Sequence, residues 1–289
     1  MKLGLSSYSL LDALEKKEMS ILDVVEWIAQ HGGEHMEIVP YGYTLLGDDE
    51  LIEALKAKAQ EVGIELSNYS LPANFIQPSP EELDAEIARV KSHVDVANRL
   101  GIKYMRHDVN TFSLPVEQTT ISYFELHLPQ MAEACRQIAD YAANFGITTS
   151  VENHGHLVQN ADRVQRLIAE VDRSNFKTTL DIGNFMCVDE PSLVGVMKNL
   201  PYASLVHLKD FYFRPYDADP GEGYFKTVHN NFLRGAIIGQ GEIPMKEVVK
   251  LVKDSGYDGY ITIEFEGIED CRLGSRIGLV NARKIWNEV

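Results

Sequence analysis

The sequence predicts a closed (β/α)8 barrel, and three observations carry that prediction. Short apolar runs alternate with amphipathic helical stretches along the whole chain, the alternation counts eight strands and eight helices, and four runs in the second half each end in one metal-type ligand. Those runs read TTSVENHG with Glu152, KTTLDIGN with Asp181, ASLVHLKD with His207 and YITIEFEG with Glu264. By strand parity each ligand points one way while Val151, Leu180, Val206, Leu208, Ile263 and Phe265 point the other. The first two intervals each match one strand-plus-helix module of ~30 residues. The third is longer, because a stretch rich in Gly, Pro and aromatics lies between Phe211 and Gly241. Four ligands at repeated strand ends converge in space only if the strands are parallel and close into a ring.

The elements follow in order. Lys2 to Ser9 reads as the first strand, and Ser20 caps a helix over Ile21 to His31 that Gly32 and Gly33 stop. Leu22, Val25 and Ile28 mark its apolar face. A second strand, His35 to Pro40, carries Glu37; a helix over Asp48 to Val62 closes at Gly63, and strand three spans Ile64 to Leu71. Ser79, Pro80, Glu81 and Glu82 supply the cap, first-turn proline and first-turn acids of a helix that runs to Leu100, and Gly101 ends it. Strand four is Lys103 to Asn110; after Pro115 a helix runs from Tyr123 to Phe145, and Gly146 leads to the strand bearing Glu152, Asn153 and His154. The remaining units are helix Ala161 to Val171, strand Phe176 to Gly183, helix Ser192 to Asn199, strand Ala203 to Asp210, helix Met245 to Ser255, strand Tyr260 to Gly267 and a terminal helix from Gly274 to Asn287. No linker-like shift in composition interrupts residues 1–289, which are expected to form a single domain, with active residues at the C-terminal strand ends.

Composition narrows the function classes. A net charge of −16 argues against general affinity for nucleic acid or anionic membranes, which require clustered Lys and Arg. Cys135, Cys187 and Cys271 are odd in number and far apart, without metal or redox spacing, and read as buried thiols of a reducing cytoplasm. Serines interrupt the apolar start MKLGLSSYSLL, so no signal peptide is expected, and no run of ~18 apolar residues is present to span a membrane.

Three carboxylates and one imidazole make a hard, oxygen-dominated site suited to one divalent ion, Mn2+ or Mg2+ first, with Co2+ or Zn2+ admitted. His154, Lys209 and Glu266 each stand two residues beyond a ligand on the same face, and Asn184 follows where a strand breaks into its loop. With Arg214 from the long insertion, these are the expected substrate-binding residues. Glu37, Arg106, His107 and Asp108 also lie near strand ends, where a structural bond and a substrate contact are equally compatible; Glu34 and His35 read as loop residues. The insertion itself, with Tyr212, Phe213, Tyr216, Tyr224, Phe225, Lys226 and His229, is expected to overhang the mouth as a lid.

The pieces VENHG, LDIGN, VHLKD and IEFEG, with GQGEIP at Gly239 to Pro244, resemble the xylose isomerase-like TIM barrel superfamily over the whole chain, and within it the sugar phosphate isomerase/epimerase group. The resemblance implies that Glu152, Asp181, His207 and Glu264 hold the metal and that Glu152 and Glu264 double as the acid/base pair. The chain departs from the ketose epimerases at Asn184, where those enzymes have His, and lacks the extra histidines of a trinuclear endonuclease site. The expected activity is isomerisation or epimerisation of a small sugar, ketose or polyol-derived keto-sugar through an enediolate; the alternatives are an inosose-type dehydratase, a DNA phosphodiesterase and a non-catalytic sugar-binding barrel. The expected partner is a small-molecule sugar, with no nucleic acid and no membrane, and with room for a homo-oligomer.

Overall fold

The computed structural model describes residues 1–111 and 114–289. In chain order its strands are β1 (Lys2–Ser6), β2 (His35–Ile38), β3 (Glu65–Leu71), β4 (Tyr104–His107), β5 (Thr148–Glu152), β6 (Phe176–Asp181), β7 (Ala203–Leu208), β8 (Asp210–Arg214), β9 (Phe225–Lys226), β10 (Phe232–Ala236) and β11 (Tyr260–Ile263). The first seven and β11 are parallel and close into a barrel in which β1 pairs with both β2 and β11, as the alternation predicts. Several strands are shorter than the apolar runs suggest. β1 stops at Ser6, whose hydroxyl accepts from the Tyr8 amide and turns the chain into a 3-10 segment, Ser7–Leu10, and a short helix α1 (Leu11–Glu15) that the sequence pattern did not separate.

The outer helices match the cap signals. In α2 (Ile21–Gln30) Ser20 and Asp23 form a reciprocal capping box, and α3 (Asp49–Val62) starts from the Asp48 cap and ends at Gly63 with φ +76°, a left-handed position that only glycine takes freely. Then come α4 (Pro80–Leu100), α5 (Ile121–Ala143), α6 (Ala161–Val171), α7 (Ser192–Asn199), α8 (Met245–Asp254) and α9 (Cys271–Glu288). α9 begins at Cys271 rather than Gly274 because the Asp270 carboxylate accepts from the Leu273 amide and caps it. The apolar helix faces pack on the barrel's outer surface, with Val24, Val25, Ile28, Ile52, Leu55 and Val94 fully buried. All three cysteines are buried free thiols. Among the described residues no helix is long and apolar enough to cross a membrane.

Two expectations are corrected here. His35 is not a loop residue but the first residue of β2, fully buried in the barrel, with Nδ1 2.9 Å from Ser67 Oγ and Nε2 3.1 Å from the Ile261 carbonyl. Gly4 is glycine for its sake: a Cβ there would lie 2.1 Å from the His35 carbonyl oxygen. The 211–241 stretch is not a bare loop either, since β8, β10 and β9 form an antiparallel sheet of three strands at the barrel mouth. Gly235 bridges to Gly267, and a Cβ at Gly235 would lie 2.2 Å from the Glu266 carbonyl, so close approach of the two backbones requires glycine. The buried Asp210 carboxylate accepts amides from Phe211, Gly239 and Gly241 at 2.9 Å and from Ile243 at 3.3 Å. VHLKD and GQGEIP, separate motifs in the sequence, are therefore two sides of one clamp.

Candidate metal and active site

Glu152 ends β5, Asp181 ends β6 beside His207 of β7, and Glu264 follows β11, so all four sequence-predicted ligands stand at the same C-terminal face. Each offers one donor atom, and these atoms lie within 4.8 Å of one another, all buried. Asp181 shows how the backbone divides the work. Its Oδ1 accepts from the amides of Gly183 at 2.7 Å and Asn184 at 2.8 Å, while Oδ2 is buried without a hydrogen-bond partner among the described residues.

His207 has the same division. Nε2 lies 2.6 Å from Glu37 Oε2, and because a carboxylate only accepts, Nε2 must carry the proton. Nδ1 then faces Glu152 Oε1 at 3.6 Å and Asp181 Oδ2 and Glu264 Oε2 at 3.8 Å, and it too is buried without a hydrogen-bond partner among the described residues. Unmatched buried polar atoms are costly, and two of them aimed at one point among carboxylates fit a cation. Glu37 thus fixes the His207 ring and stands where the outer partner of a metal-bound histidine would. Its place near a strand end was legible, but only its contact with His207 separates this role from an unrelated structural bond.

Lys209 lies across the cluster. Its Nζ is 2.7 Å from Glu264 Oε2, 3.3 Å from Glu266 Oε1 and 3.1 Å from Asn184 Oδ1. It also comes within 3.1 Å of Asp181 Oδ2, an ion-pair distance without hydrogen-bond alignment, which leaves that oxygen's lone pairs open. Asn184 donates from Nδ2 to Glu152 Oε1 at 2.9 Å and so links Lys209 to Glu152. The glycine of LDIGN makes room for this: a Cβ at Gly183 would lie 2.9 Å from Lys209 Cβ and 3.1 Å from Phe211 Cε2. On the other side the Arg106 guanidinium pairs with Glu152 and, at 3.0 Å, with Asp108, which in turn meets His154 Nδ1 at 3.2 Å.

The charges set the two glutamates apart. Burial alone would raise the Glu152 carboxyl, but Arg106 and then His207 outweigh it and hold it well below the usual carboxylate range. Burial pushes Glu264 up to about 7, with Lys209 and His207 only partly offsetting it. Burial would lower the Lys209 ammonium, yet Asp181, Glu264 and Glu266 raise it well above the ordinary lysine value.

Of the other expected residues, His154, Asn184, Lys209 and Glu266 line the cavity above the cluster, and Arg214 does not. Arg214 closes β8 half exposed, donates to the Phe213 carbonyl at 2.6 Å and lies 3.9 Å from Glu242. Strand parity turned it outward, while Lys226, expected with the insertion over the mouth, and Arg89, which no motif marked, are basic residues of the cavity wall. His107 turns away from the site, with Nδ1 2.9 Å from the Asp108 carbonyl and its ring edge-on to Phe75.

The structure is a closed parallel barrel with a buried three-carboxylate, one-histidine cluster at its C-terminal face that could hold a metal ion. The model of the xylose isomerase-like TIM barrel family matches residues 25–285, and the chain belongs to that family. It is 23% identical over 228 residues to an inosose dehydratase of Clostridium perfringens, covering 74% of each chain. It is 21% identical over 272 residues to a D-psicose 3-epimerase of Ruminiclostridium cellulolyticum, covering 92% of this chain and 83% of that one. A solved D-tagatose 3-epimerase-like protein superposes with a TM-score of 0.75 at 22% identity over 100% of this chain and 99% of that one, which is a likeness of fold. The chain is thus related to sugar epimerases and dehydratases, and its four buried donors could hold a metal ion.

Proposed function

We propose that this protein is a divalent-metal-dependent isomerase or epimerase of a small sugar, a ketose or polyol-derived keto-sugar. The observation that carries the reading is the pair Glu152 and Glu264, which enter one four-donor cluster from β5 and β11 with β6 and β7 between them and with opposite electrostatic settings. Glu152, Asp181, His207 and Glu264 would hold the ion, Mn2+ or Mg2+ by the hardness of the set, and it would supply polarisation of a substrate carbonyl. Glu264, buried beside the Lys209 ammonium at 2.7 Å, is the carboxylate assigned to exchange a proton with substrate carbon. Glu152, kept anionic by Arg106, faces the substrate from the other side. One carboxylate takes the proton beside the carbonyl to give an enediolate, and the other returns a proton to the opposite face of the same carbon, which is epimerisation, or to the neighbouring carbon, which is isomerisation. Lys209 and His154 stand where they can donate to substrate oxygens.

Dehydration is the second reading, favoured by the Lys209 ammonium beside Glu264 at 2.7 Å, a proton donor for a departing β-hydroxyl. The test is turnover of D-fructose, D-psicose and D-tagatose by manganese-loaded protein in deuterated water. Deuterium should enter the carbon beside the carbonyl, and Glu264→Gln should stop it while manganese stays bound. A manganese-bound Glu264→Gln protein that exchanges at the wild-type rate would remove Glu264 from the chemistry.

A further inference from the structure

Behind Glu37 the barrel interior carries two further polar side chains, Asn68 and Ser70 of β3, which are 0% and 1% exposed. Tyr69 between them points out to α4, its hydroxyl 2.7 Å from His93 Nδ1, so Asn68 and Ser70 both face inward. A slip in register sets this up. β2 and β3 pair His35 with Glu65 and Met36 with Leu66, and then Glu37 with Asn68, which leaves Ser67 as an extra residue whose hydroxyl donates to the Met36 carbonyl at 3.1 Å. Without that bulge Ser67 would share the inner face with Glu37, and Asn68 and Ser70 would turn outward to the helices. Bulges are rare between parallel strands and gather beside active sites, where they re-aim a side chain.

The hydrogen bonds of this group run only one way. The Ser70 hydroxyl has a single proton and the Glu37 carboxylate only accepts, so Ser70 donates to Glu37 Oε1. The Ser70 oxygen is then the acceptor for Asn68 Nδ2 at 2.9 Å. Glu37 Oε2 faces His207 Nε2 at 2.6 Å, so each carboxylate oxygen is held by its own donor, one from β3 and one from β7. Asn68 Oδ1 is buried without a partner among the described residues, a cost that the branched apolar residues usual inside such a barrel would not carry. Ser70 also lines the recess that holds Glu152 and Glu264.

We infer that Ser70 and Asn68 are positioning residues of the candidate metal site: Asn68 directs the Ser70 hydroxyl, Ser70 fixes the Glu37 carboxylate, and Glu37 holds His207 with Nδ1 turned to the other three donors. This inference rests on the proposed reading of those four donors as a metal site.

The test is calorimetric titration with manganese of metal-stripped wild type, Ser70→Ala, Ser70→Thr and Asn68→Leu, with Ser70→Ala repeated in a Glu37→Gln background and a melting temperature recorded for each protein. Ser70→Ala is expected to weaken manganese binding about fivefold, less than the 10–100-fold usual for a group that touches the histidine itself, and Asn68→Leu about threefold. Ser70→Thr keeps the hydroxyl and has the recess to receive its methyl, so its affinity should return to within about twofold of wild type. Because Ser70 acts through Glu37, its removal in the Glu37→Gln background should change affinity by less than about twofold. A loss of equal size in both backgrounds, a Ser70→Thr protein as weak as Ser70→Ala, or variants that bind as wild type while only their melting temperatures fall, overturns the inference. Manganese bound equally by wild type, Ser70→Ala and Asn68→Leu removes only the positioning role; a wild type that takes up no manganese removes the metal reading together with it.

Discussion

Replacing Glu37 with Gln is expected to weaken manganese binding by tens of fold without unfolding the barrel. Glu37 Oε2 sits 2.6 Å from His207 Nε2, its other oxygen accepts from the Ser70 hydroxyl, and both side chains are 1% exposed. Water therefore cannot replace the lost charge. Removing the outer partner of a ligating histidine typically costs 10–100-fold in metal affinity, about 1.4–2.7 kcal/mol. Complete burial places this site toward the upper end of that range. A glutamine carbonyl can still accept from Nε2–H, so the ring keeps its place and the loss stays within the range rather than exceeding it. The assay is calorimetric titration of metal-stripped wild-type and variant proteins with manganese, beside thermal melts of both. A variant affinity within twofold of wild type, while Asp181→Asn binds much more weakly, would refute the assigned role of Glu37.

Gly183→Ala should force its Cβ against Lys209 Cβ, 2.9 Å away, and cost about 1–3 kcal/mol, read by urea denaturation, together with a loss of activity as Lys209 shifts. Asp210→Asn leaves one oxygen for amides that now reach two, with an NH2 facing Gly239 and Gly241 or Phe211 and Ile243; faster amide exchange across 239–243 should follow, and unchanged exchange would count against the clamp. Burial lowers His35 from 6.5 to about 4, so the unfolded chain binds the proton first as pH falls. The stabilising difference is full above pH 6.5 and is lost toward pH 4; it should take away roughly 2 kcal/mol between pH 7 and pH 5. In His35→Gln that part of the pH slope in urea denaturation should vanish, and an unaltered slope would mean that His35 is not the group responsible.

The barrel and its four clustered donor residues were legible along the chain for a local reason. Strand parity and helix caps act over a few residues, so Glu152, Asp181, His207 and Glu264 could be placed on one face of their strands, and Ser20, Ser79 and Gly63 could mark helix ends, without any knowledge of tertiary contacts. What the chain could not show were pairings that depend on which strands meet across the ring. Glu37 and His207 are joined through the barrel interior from β2 and β7, and Lys209 reaches Asn184 and Glu264 from neighbouring strands. Arg214 was turned outward by a register that exists only once β8 pairs with β10, and that same sheet set Phe225 on the cavity wall. Local sequence determined which chemical groups arrive at the barrel mouth; closure of the ring and folding of the mouth sheet decided which of them touch, because those contacts join residues far apart in the chain whose distances no local periodicity encodes.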